Sequence, residues 1–300
     1  MLKKILVPLD GSELAGRILT HVRRILLRED AEVMLLTVLP PEAATEDERT
    51  RAWRIEEASG HLMGELRKLG EAGARARYDL MTGDPAAQVL AFADTWQPGL
   101  IAMSTHGRTG LERWARGSVA ERVLRRSEHP VLLANPRGFD GKEACFRRIL
   151  VPLDGTDTSA AILPIVEEFA SRYESEVILL HAASAYTAFA EYPSVEVRPS
   201  AEELRDLMEP HRERLERAGV KSRVYILYED PAQAILHVAT ADSVDLVAMT
   251  THGRSGISRW VFGSVAEKVL RNCPCPVLAS RARSAKPQVS TRVHQQSPKA

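Results

Sequence analysis

The 300-residue sequence predicts an α/β protein made of two tandem doubly wound domains, each a five-stranded parallel sheet flanked by helices. Two observations carry this expectation. The chain is duplicated, and within each copy short aliphatic runs alternate with longer segments of helical period, the pattern of βαβ units.

The duplication is read directly. Thr105-His106-Gly107-Arg108-Thr109-Gly110, Arg113-Trp114, Gly117-Ser118-Val119-Ala120-Glu121 and Pro130-Val131-Leu132 return 146 residues later. The second set is Thr251-His252-Gly253-Arg254-Ser255-Gly256, Arg259-Trp260, Gly263-Ser264-Val265-Ala266-Glu267 and Pro276-Val277-Leu278, with 18 of 29 positions identical between 105–133 and 251–279. Lys4-Ile5-Leu6-Val7-Pro8-Leu9-Asp10-Gly11-Ser12 likewise returns 144 residues on, as Arg148-Ile149-Leu150-Val151-Pro152-Leu153-Asp154-Gly155-Thr156. The best-matched pieces are loops. A packing constraint tolerates apolar swaps, whereas repeated glycines and polar residues in loops point to a site.

In the first copy, strands are expected over 4–9, 31–38, 75–80, 100–104 and 131–134. Their near-continuous apolar character suits strands covered on both faces. Helices fit between them at 12–27, 47–69, 85–95 and 118–126. The second of these shows its period through Ile55, Ala58, Leu62, Leu66 and Leu69, with Gly70 and Gly73 supplying the stop. In the second copy the strands are 148–153, 176–182, 223–227, 245–250 and 276–279, and the helices 158–172, 201–217, 231–241 and 264–271. Two extra residues between its second and third strands account for the change of offset. The expected division is a first domain over 1–135, a linker over 136–146, a second domain over 147–280 and a disordered basic tail over 281–300.

Bulk properties narrow the function. Hydrophobic content of 44% and charged content of 27% are ordinary for a globular chain. Forty basic residues balance forty acidic ones, so charge makes no case for nucleic acid or an anionic membrane. The last twenty residues carry five Lys and Arg and no acid, leaving 35 basic against 40 acidic residues before them. No apolar run approaches the ~18 residues of a membrane span, and the apolar stretch after Lys3-Lys4 is too short for a signal peptide, which makes the cytoplasm the expected compartment. Three cysteines, Cys145, Cys273 and Cys275, argue against a disulfide framework. Ser127 and His129 stand where Cys273 and Cys275 recur, so the thiols are outside the duplicated design and read as structural or incidental.

The chemistry concentrates at one sheet edge. In an open parallel sheet, ligands bind beyond the carboxyl ends of the strands where the winding reverses. Three segments of each copy reach that edge: Pro8-Leu9-Asp10-Gly11, Val38, and the stretch from Ser104 to Ser118. In the last, Gly107 is followed after nine residues by Gly117-Ser118 and a helix. Glycine lets backbone N–H groups approach an anion, Ser118 sits where an N-cap belongs, and the helix start adds partial positive charge. Arg108, Arg113 and Arg116 are close in sequence; the second copy keeps Arg254 and Arg259, with Phe262 in place of Arg116. Without a ligand the same residues would be a tight turn and a capped helix. Asp10 can accept from ribose hydroxyls, hold a metal near a phosphate, or cap the helix that follows. His106 and His252 lack a paired acid or nucleophile nearby and read as hydrogen-bonded loop residues. Trp114 and Trp260 read as packing anchors.

These motifs resemble the universal stress protein family, in a tandem two-domain form covering residues 1 to about 280. ATP-binding members carry Gly-x2-Gly-x9-Gly-[Ser/Thr] after the fourth strand. Gly107 and Gly117-Ser118 match the later elements, as do Gly253 and Gly263-Ser264, while Ser104 and Thr250 replace the first glycine. The resemblance implies strand order 3-2-1-4-5. It also implies ATP as the ligand, accompanied by Mg2+, with slow or no hydrolysis and a role in stress response or signalling. By the resemblance, Asp10 and Asp154 meet the ribose. Val38 and Ala182 present backbone atoms to the adenine, with Met103 and Met249 lining its pocket. The glycines with Ser118 or Ser264 hold the phosphates. Pro8 and Pro152 ahead of the acids, Arg108 and Arg254 in the loops, and Val119 and Val265 after the serines complete the nucleotide-binding set. No catalytic residue and no protein-held metal are expected. The family's last strand commonly makes dimer contacts, which implies an intrachain pseudo-dimer, with a homodimer and an unidentified protein partner as further associations. A ligand-free interaction module and a true ATPase are the alternatives. The Gly-Lys-[Ser/Thr] ending of a P-loop and a Gly-x-Ser-x-Gly elbow are both absent from the sequence.

Overall fold

Alternating burial along the first strand sets the layering. In a computed structural model of the chain, which describes residues 2–105, 119–135, 146–183, 199–251 and 263–281, Ile5, Val7 and Leu9 point into one apolar layer and Leu6 into the other. This is the two-residue period of a strand buried on both faces.

The first half runs β1 (Lys4–Pro8), α1 (Glu13–Gly16), α2 (Ile18–Leu26), β2 (Glu32–Leu39), a 3-10 turn at Pro41–Ala44, α3 (Glu48–Glu71), β3 (Arg75–Thr82), α4 (Pro85–Trp96), β4 (Leu100–Ser104), α5 (Val119–Arg126) and β5 (Val131–Ala134). The second repeats it as β6 (Arg148–Pro152), α6 (Asp157–Ala160), α7 (Leu163–Tyr173), β7 (Glu176–Ala182), α8 (Ala201–Arg217), β8 (Ser222–Leu227), α9 (Pro231–Ala241), β9 (Leu246–Thr250), α10 (Ser264–Asn272) and β10 (Val277–Ser280).

Both halves have the strand order 3-2-1-4-5, and they share one ten-stranded sheet, β3-β2-β1-β4-β5-β10-β9-β6-β7-β8. Pairing is parallel throughout each half. The join is antiparallel: Val277 pairs with Leu133, Leu278 with Leu132 and Ala279 with Val131. The halves therefore form an intrachain pseudo-dimer through their last strands. Helices α1, α2, α3, α6, α7 and α8 cover one face, while α4, α5, α9 and α10 cover the other. Central strands β4 and β9 are buried at every residue, whereas the outermost β3 and β8 are half-exposed. Ion pairs Arg75–Asp30 at 3.0 Å and Arg77–Glu32 at 2.7 Å put charge along the β3 edge, which discourages further strand addition.

A second seam joins the halves on the α2/α7 side. Tyr173 donates its hydroxyl to the Ile25 carbonyl at 3.0 Å. Arg172 pairs with the buried Glu29 at 2.6 Å. Beneath them Phe146 stacks edge-on against Phe169 and Tyr173, with ring centroids 5.0 and 5.4 Å away.

Several expected boundaries shift. The helix expected over 12–27 is broken at Arg17 into α1 and α2. Ser104 Oγ donates to the carbonyls of Leu14 at 2.8 Å and Ala15 at 3.3 Å. A continuous helix would offer those carbonyls to the N–H groups of Ile18 and Leu19. The helix expected over 158–172 starts at Asp157 and is broken after Ala160, where Pro164 has no N–H to give the Ala160 carbonyl. Gly70 lies inside α3 rather than ending it; Gly73, at φ +79, takes the left-handed conformation beyond the helix. The linker interior and the tail from 282 onward lie outside the described residues.

Candidate functional site

The repeated Asp-Gly-[Ser/Thr] triplet makes the same turn at the carboxyl ends of β1 and β6. Asp10 Oδ1 accepts from the Ser12 N–H at 2.9 Å and the Ser12 hydroxyl at 2.6 Å. Ser12 Oγ in turn accepts from Ala15 N at 3.1 Å. Asp154 repeats this with Thr156, at 3.0 and 2.6 Å, and Thr156 Oγ1 accepts from Ser159 N at 3.2 Å. The residue that caps the helix is therefore Ser12 or Thr156. Asp10 and Asp154 are not caps; they hold the capping hydroxyl. The intervening Gly11 and Gly155 sit at φ +81 and +83, a region costly for any residue with a Cβ. At Gly155 a methyl group would also lie 2.7 Å from Cδ2 of Leu207.

The turn is pinned from β2 and β7. Leu9 N–H donates to the Leu36 carbonyl and Leu153 N–H to the Leu180 carbonyl, both at 2.9 Å. Thr37 Oγ1 donates to the Leu9 carbonyl at 2.9 Å. In the second half the buried His181 takes that role, with Nδ1 3.0 Å from the Leu153 carbonyl. A carbonyl only accepts, so Nδ1 carries the proton in this contact.

Strands β4 and β9 end beside these turns. Ser104 Oγ, through its bonds to Leu14 and Ala15, fastens the β4 end to α1. Thr250, its counterpart at the end of β9, is buried. Past the strand ends, Thr105 N–H donates to the Ala134 carbonyl at 2.9 Å and Thr251 N–H to the Ser280 carbonyl at 3.1 Å. These bonds continue the β4/β5 and β9/β10 pairings. The crevice between β1 and β4, and between β6 and β9, is where the winding reverses, the usual ligand position in such sheets.

Of the residues expected in the site, Val38, Met103 and Val119 share one apolar layer in the first half, as Ala182, Met249 and Val265 do in the second. Pro8 and Pro152 end β1 and β6. Val38 is the penultimate residue of β2 and Ala182 the last of β7. Gly263 is the N-cap of α10 at φ −59, ψ 136, with no side-chain cap, and Ser264 opens the helix. Among the described residues, a Cβ at Gly263 would meet only the Thr251 carbonyl oxygen at 3.8 Å, an ordinary contact. Nothing among the described residues requires glycine there. Gly107, Arg108, Gly117, Ser118, Gly253 and Arg254, with His106, His252, Trp114 and Trp260, lie outside the described residues.

Sequence comparison missed the Thr37 and His181 contacts, because different residue types perform one task in the two copies. It also missed the anchoring of Ser104. A groove of about 350 Å³ between Leu26–Ala31 and Ala72–Arg75 lies at the opposite edge, by the amino ends of β2 and β3. Among the described residues, no group of three or more His, Cys, Asp and Glu is placed to hold a metal ion, and no helix is long and apolar enough to cross a membrane.

The model of the universal stress protein family matches twice, over residues 1–135 and 146–281. A universal stress protein of Methanocaldococcus jannaschii is 32% identical over 137 residues, covering 44% of this chain and 81% of that relative. One from Bacillus subtilis is 28% identical over 147 residues, covering 45% of this chain and 99% of the relative. A crystal structure of a universal stress protein from Archaeoglobus fulgidus aligns over 94% of this chain and 99% of its own, with a TM-score of 0.74 at 22% identity. That identity speaks to the fold alone.

Proposed function

Because the chain belongs to the universal stress protein family in both of its halves, we propose that it is a nucleotide-binding stress or signalling protein that takes ATP in the crevice between the first and fourth strands of each half. One observation carries the reading: Gly263 begins α10 at φ −59, open to any residue, and none of the described residues crowds a Cβ there. A glycine that the described residues do not require, at a helix start facing the sheet's switch point, suits close approach of a phosphate to backbone N–H groups.

The rest of the crevice supports the same ligand. Asp10 and Asp154 follow β1 and β6 in turns that share three hydrogen bonds, an arrangement suited to accepting from ribose hydroxyls. The apolar layer holding Val38 and Met103, and Ala182 and Met249, suits an adenine ring. The phosphates would fall to Gly107, Gly117 and Ser118 in the first half and to Gly253, Gly263 and Ser264 in the second, with Arg108 and Arg254 adding charge. Mg2+ would accompany the phosphates and neutralise part of their charge.

Binding rather than catalysis is the proposed activity. Oδ1 of each repeated aspartate is already engaged by the N–H and hydroxyl of Ser12 or Thr156, which suits positioning better than taking a proton from water. Hydrolysis would be slow or absent. ATP occupancy would fasten the glycine loops and alter the surface offered to a protein partner, in a cytoplasmic setting. A ligand-free interaction module is the second reading, and Ser104 favours it: the motif's first glycine is replaced by a side chain bonded to α1.

The test is mass spectrometry of nucleotide released from freshly purified protein, with calorimetric titration of Mg-ATP alongside. ATP or AMP on each half supports the proposal in full. Nucleotide on only one half means that the copies have diverged. Neither nucleotide nor binding heat would overturn the proposal in favour of the interaction module.

A further inference from the structure

The turn between α10 and β10 has no chemical counterpart in the first half. There, Ser127 accepts from the His129 N–H at 3.0 Å and donates to the His129 carbonyl at 2.9 Å, closing the turn with one hydroxyl. In the second half Cys273-Pro274-Cys275 occupies the same three positions. The two sulfurs lie 3.6 Å apart, with a thiol–thiol hydrogen bond between them. Cys273 is buried against Val269 and Leu270, while Cys275 is partly exposed. Pro274 is exposed between them, and its ring fixes φ there and holds the spacing. The turn leads directly into β10, whose Val277, Leu278 and Ala279 make the pairing between the halves.

We propose that Cys273 and Cys275 are a redox-active dithiol that closes reversibly to a disulfide when oxidised by a hydroperoxide. In the first step a thiolate of the pair attacks the peroxide. An S–O bond forms, the O–O bond breaks, and the departing oxygen leaves as water or an alcohol. The second sulfur then attacks the sulfenic sulfur, forming the S–S bond as the S–O bond breaks and the sulfenic oxygen leaves as water. Two thiols lose two electrons and two protons, and the peroxide takes them up. A small dithiol returns the pair to the reduced state by exchange.

Proximity supports this chemistry. With the resolving thiol already in contact with its partner, the second step needs a closure of about 1.5 Å, from the observed 3.6 Å to the ~2.05 Å of a disulfide. The hydrogen bond from Cys275 lowers the Cys273 thiol below its ordinary value, against burial, which raises it. Cys275 is pushed well up by the same bond. One sulfur is thus favoured as the thiolate nucleophile and the other remains a protonated partner. Cys273 caps the carboxyl end of α10, where the helix dipole disfavours an anion, so the expected reaction with peroxide is slow compared with dedicated peroxidases.

Trypsin gives a clean readout on the full chain. Cleavage after Arg271 and Arg281 yields a 272–281 peptide with both thiols, and cleavage after Lys142 and Arg147 yields a separate 143–147 peptide with Cys145. Reduced protein is treated with a small excess of hydrogen peroxide, remaining thiols are alkylated, and the digest is weighed. The expected 272–281 peptide carries no alkyl group and is lighter by two hydrogens, returning to the doubly alkylated form after treatment with a dithiol. The 143–147 peptide remains alkylated throughout. Double alkylation of 272–281 after oxidation overturns the proposal, as does a cross-link between the two peptides. In Cys275→Ser the sulfenic acid at Cys273 has no resolving partner, so a dimedone adduct should build up there that the unmodified protein does not show. Equal adduct in both proteins would also overturn it.

Discussion

Gly263→Ala separates the needs of the fold from those of a ligand. The native φ of −59 and ψ of 136 are open to alanine, and among the described residues the added methyl would meet one carbonyl oxygen at 3.8 Å. The expected stability cost is therefore the N-cap difference between glycine and alanine, about 0.5–1 kcal/mol. A phosphate bound close to the N–H groups of this helix start would be displaced by the methyl. Losing one hydrogen bond to a charged group costs about 1.5–3 kcal/mol, or roughly a ten- to hundredfold loss of affinity. The assay is calorimetric titration of Mg-ATP in a Gly117→Val background, so that only the second half reports, with a urea melt run on each protein. Unchanged affinity in a folded Gly263→Ala protein would refute the assignment of phosphate to this helix start. An equal loss of stability and affinity, both large, would refute the claim that the fold tolerates alanine there.

Four further outcomes are expected. Asp10→Ala should weaken a ribose-bearing ligand more than inorganic phosphate in competition titrations; equal weakening would remove Asp10 from the ribose. Ser104→Gly should lower stability by about 1–2 kcal/mol in urea melts, through the lost bonds to Leu14 and Ala15 and the entropy of a strand glycine, while tightening ATP in the first half. A protein as stable as the parent would refute the anchoring role. Tyr173→Phe, which deletes only the hydroxyl bonded to Ile25, should cost about 1 kcal/mol by the same melt. Arg122 holds the Asp84 carboxyl below its ordinary value of 3.8 through its side-chain hydrogen bonds. The stabilisation is therefore complete above the unfolded value and fades as pH falls through the lowered native one. The pair is partly exposed, so Arg122→Gln should flatten the acid limb of a stability–pH curve by no more than about 1 kcal/mol; an unaltered limb would show that the pair carries none of it.

The fold was legible because its signals are local and repeated. Apolar runs such as Leu100 to Met103 fit buried strands whatever lies beside them. What escaped were features set by contact between distant residues. The α1 carbonyls freed at the break by Arg17 accept from Ser104, 87 positions away in the chain, whose hydroxyl reaches them only once β4 lies beside β1. Pro164 offered a local sign of the matching break in the second half, yet the first half breaks without it. In the candidate site, Asp10 and Gly11 stood out by repetition, while Thr37 and His181 were hidden because a hydroxyl and an imidazole can both donate to one carbonyl. Identity between copies finds a residue whose chemistry is irreplaceable and passes over one whose task several residues can perform.

The seam between the halves shows what fusion permits. In a twofold dimer of identical subunits, each contact is made twice with the roles exchanged. At the 144-residue offset, Glu29 corresponds to Tyr173 and Arg172 to Arg28. The partner contact to Glu29–Arg172 would thus be Tyr173–Arg28. Instead Tyr173 donates to the Ile25 carbonyl, and the mirrored bond would require the Glu29 carboxylate to donate to the Phe169 carbonyl, which an ionised acid cannot do. Two different contacts therefore occupy positions that symmetry would make alike. They can persist because one chain always presents the first half to the second, freeing each face to change without matching itself. The same freedom extends to the crevices, where Thr37 corresponds to His181, and to the final turns, where Ser127 corresponds to Cys273. Across the seam the first half meets the second rather than its own copy, and the ten-stranded sheet presents β3 and β8 as its outer edges.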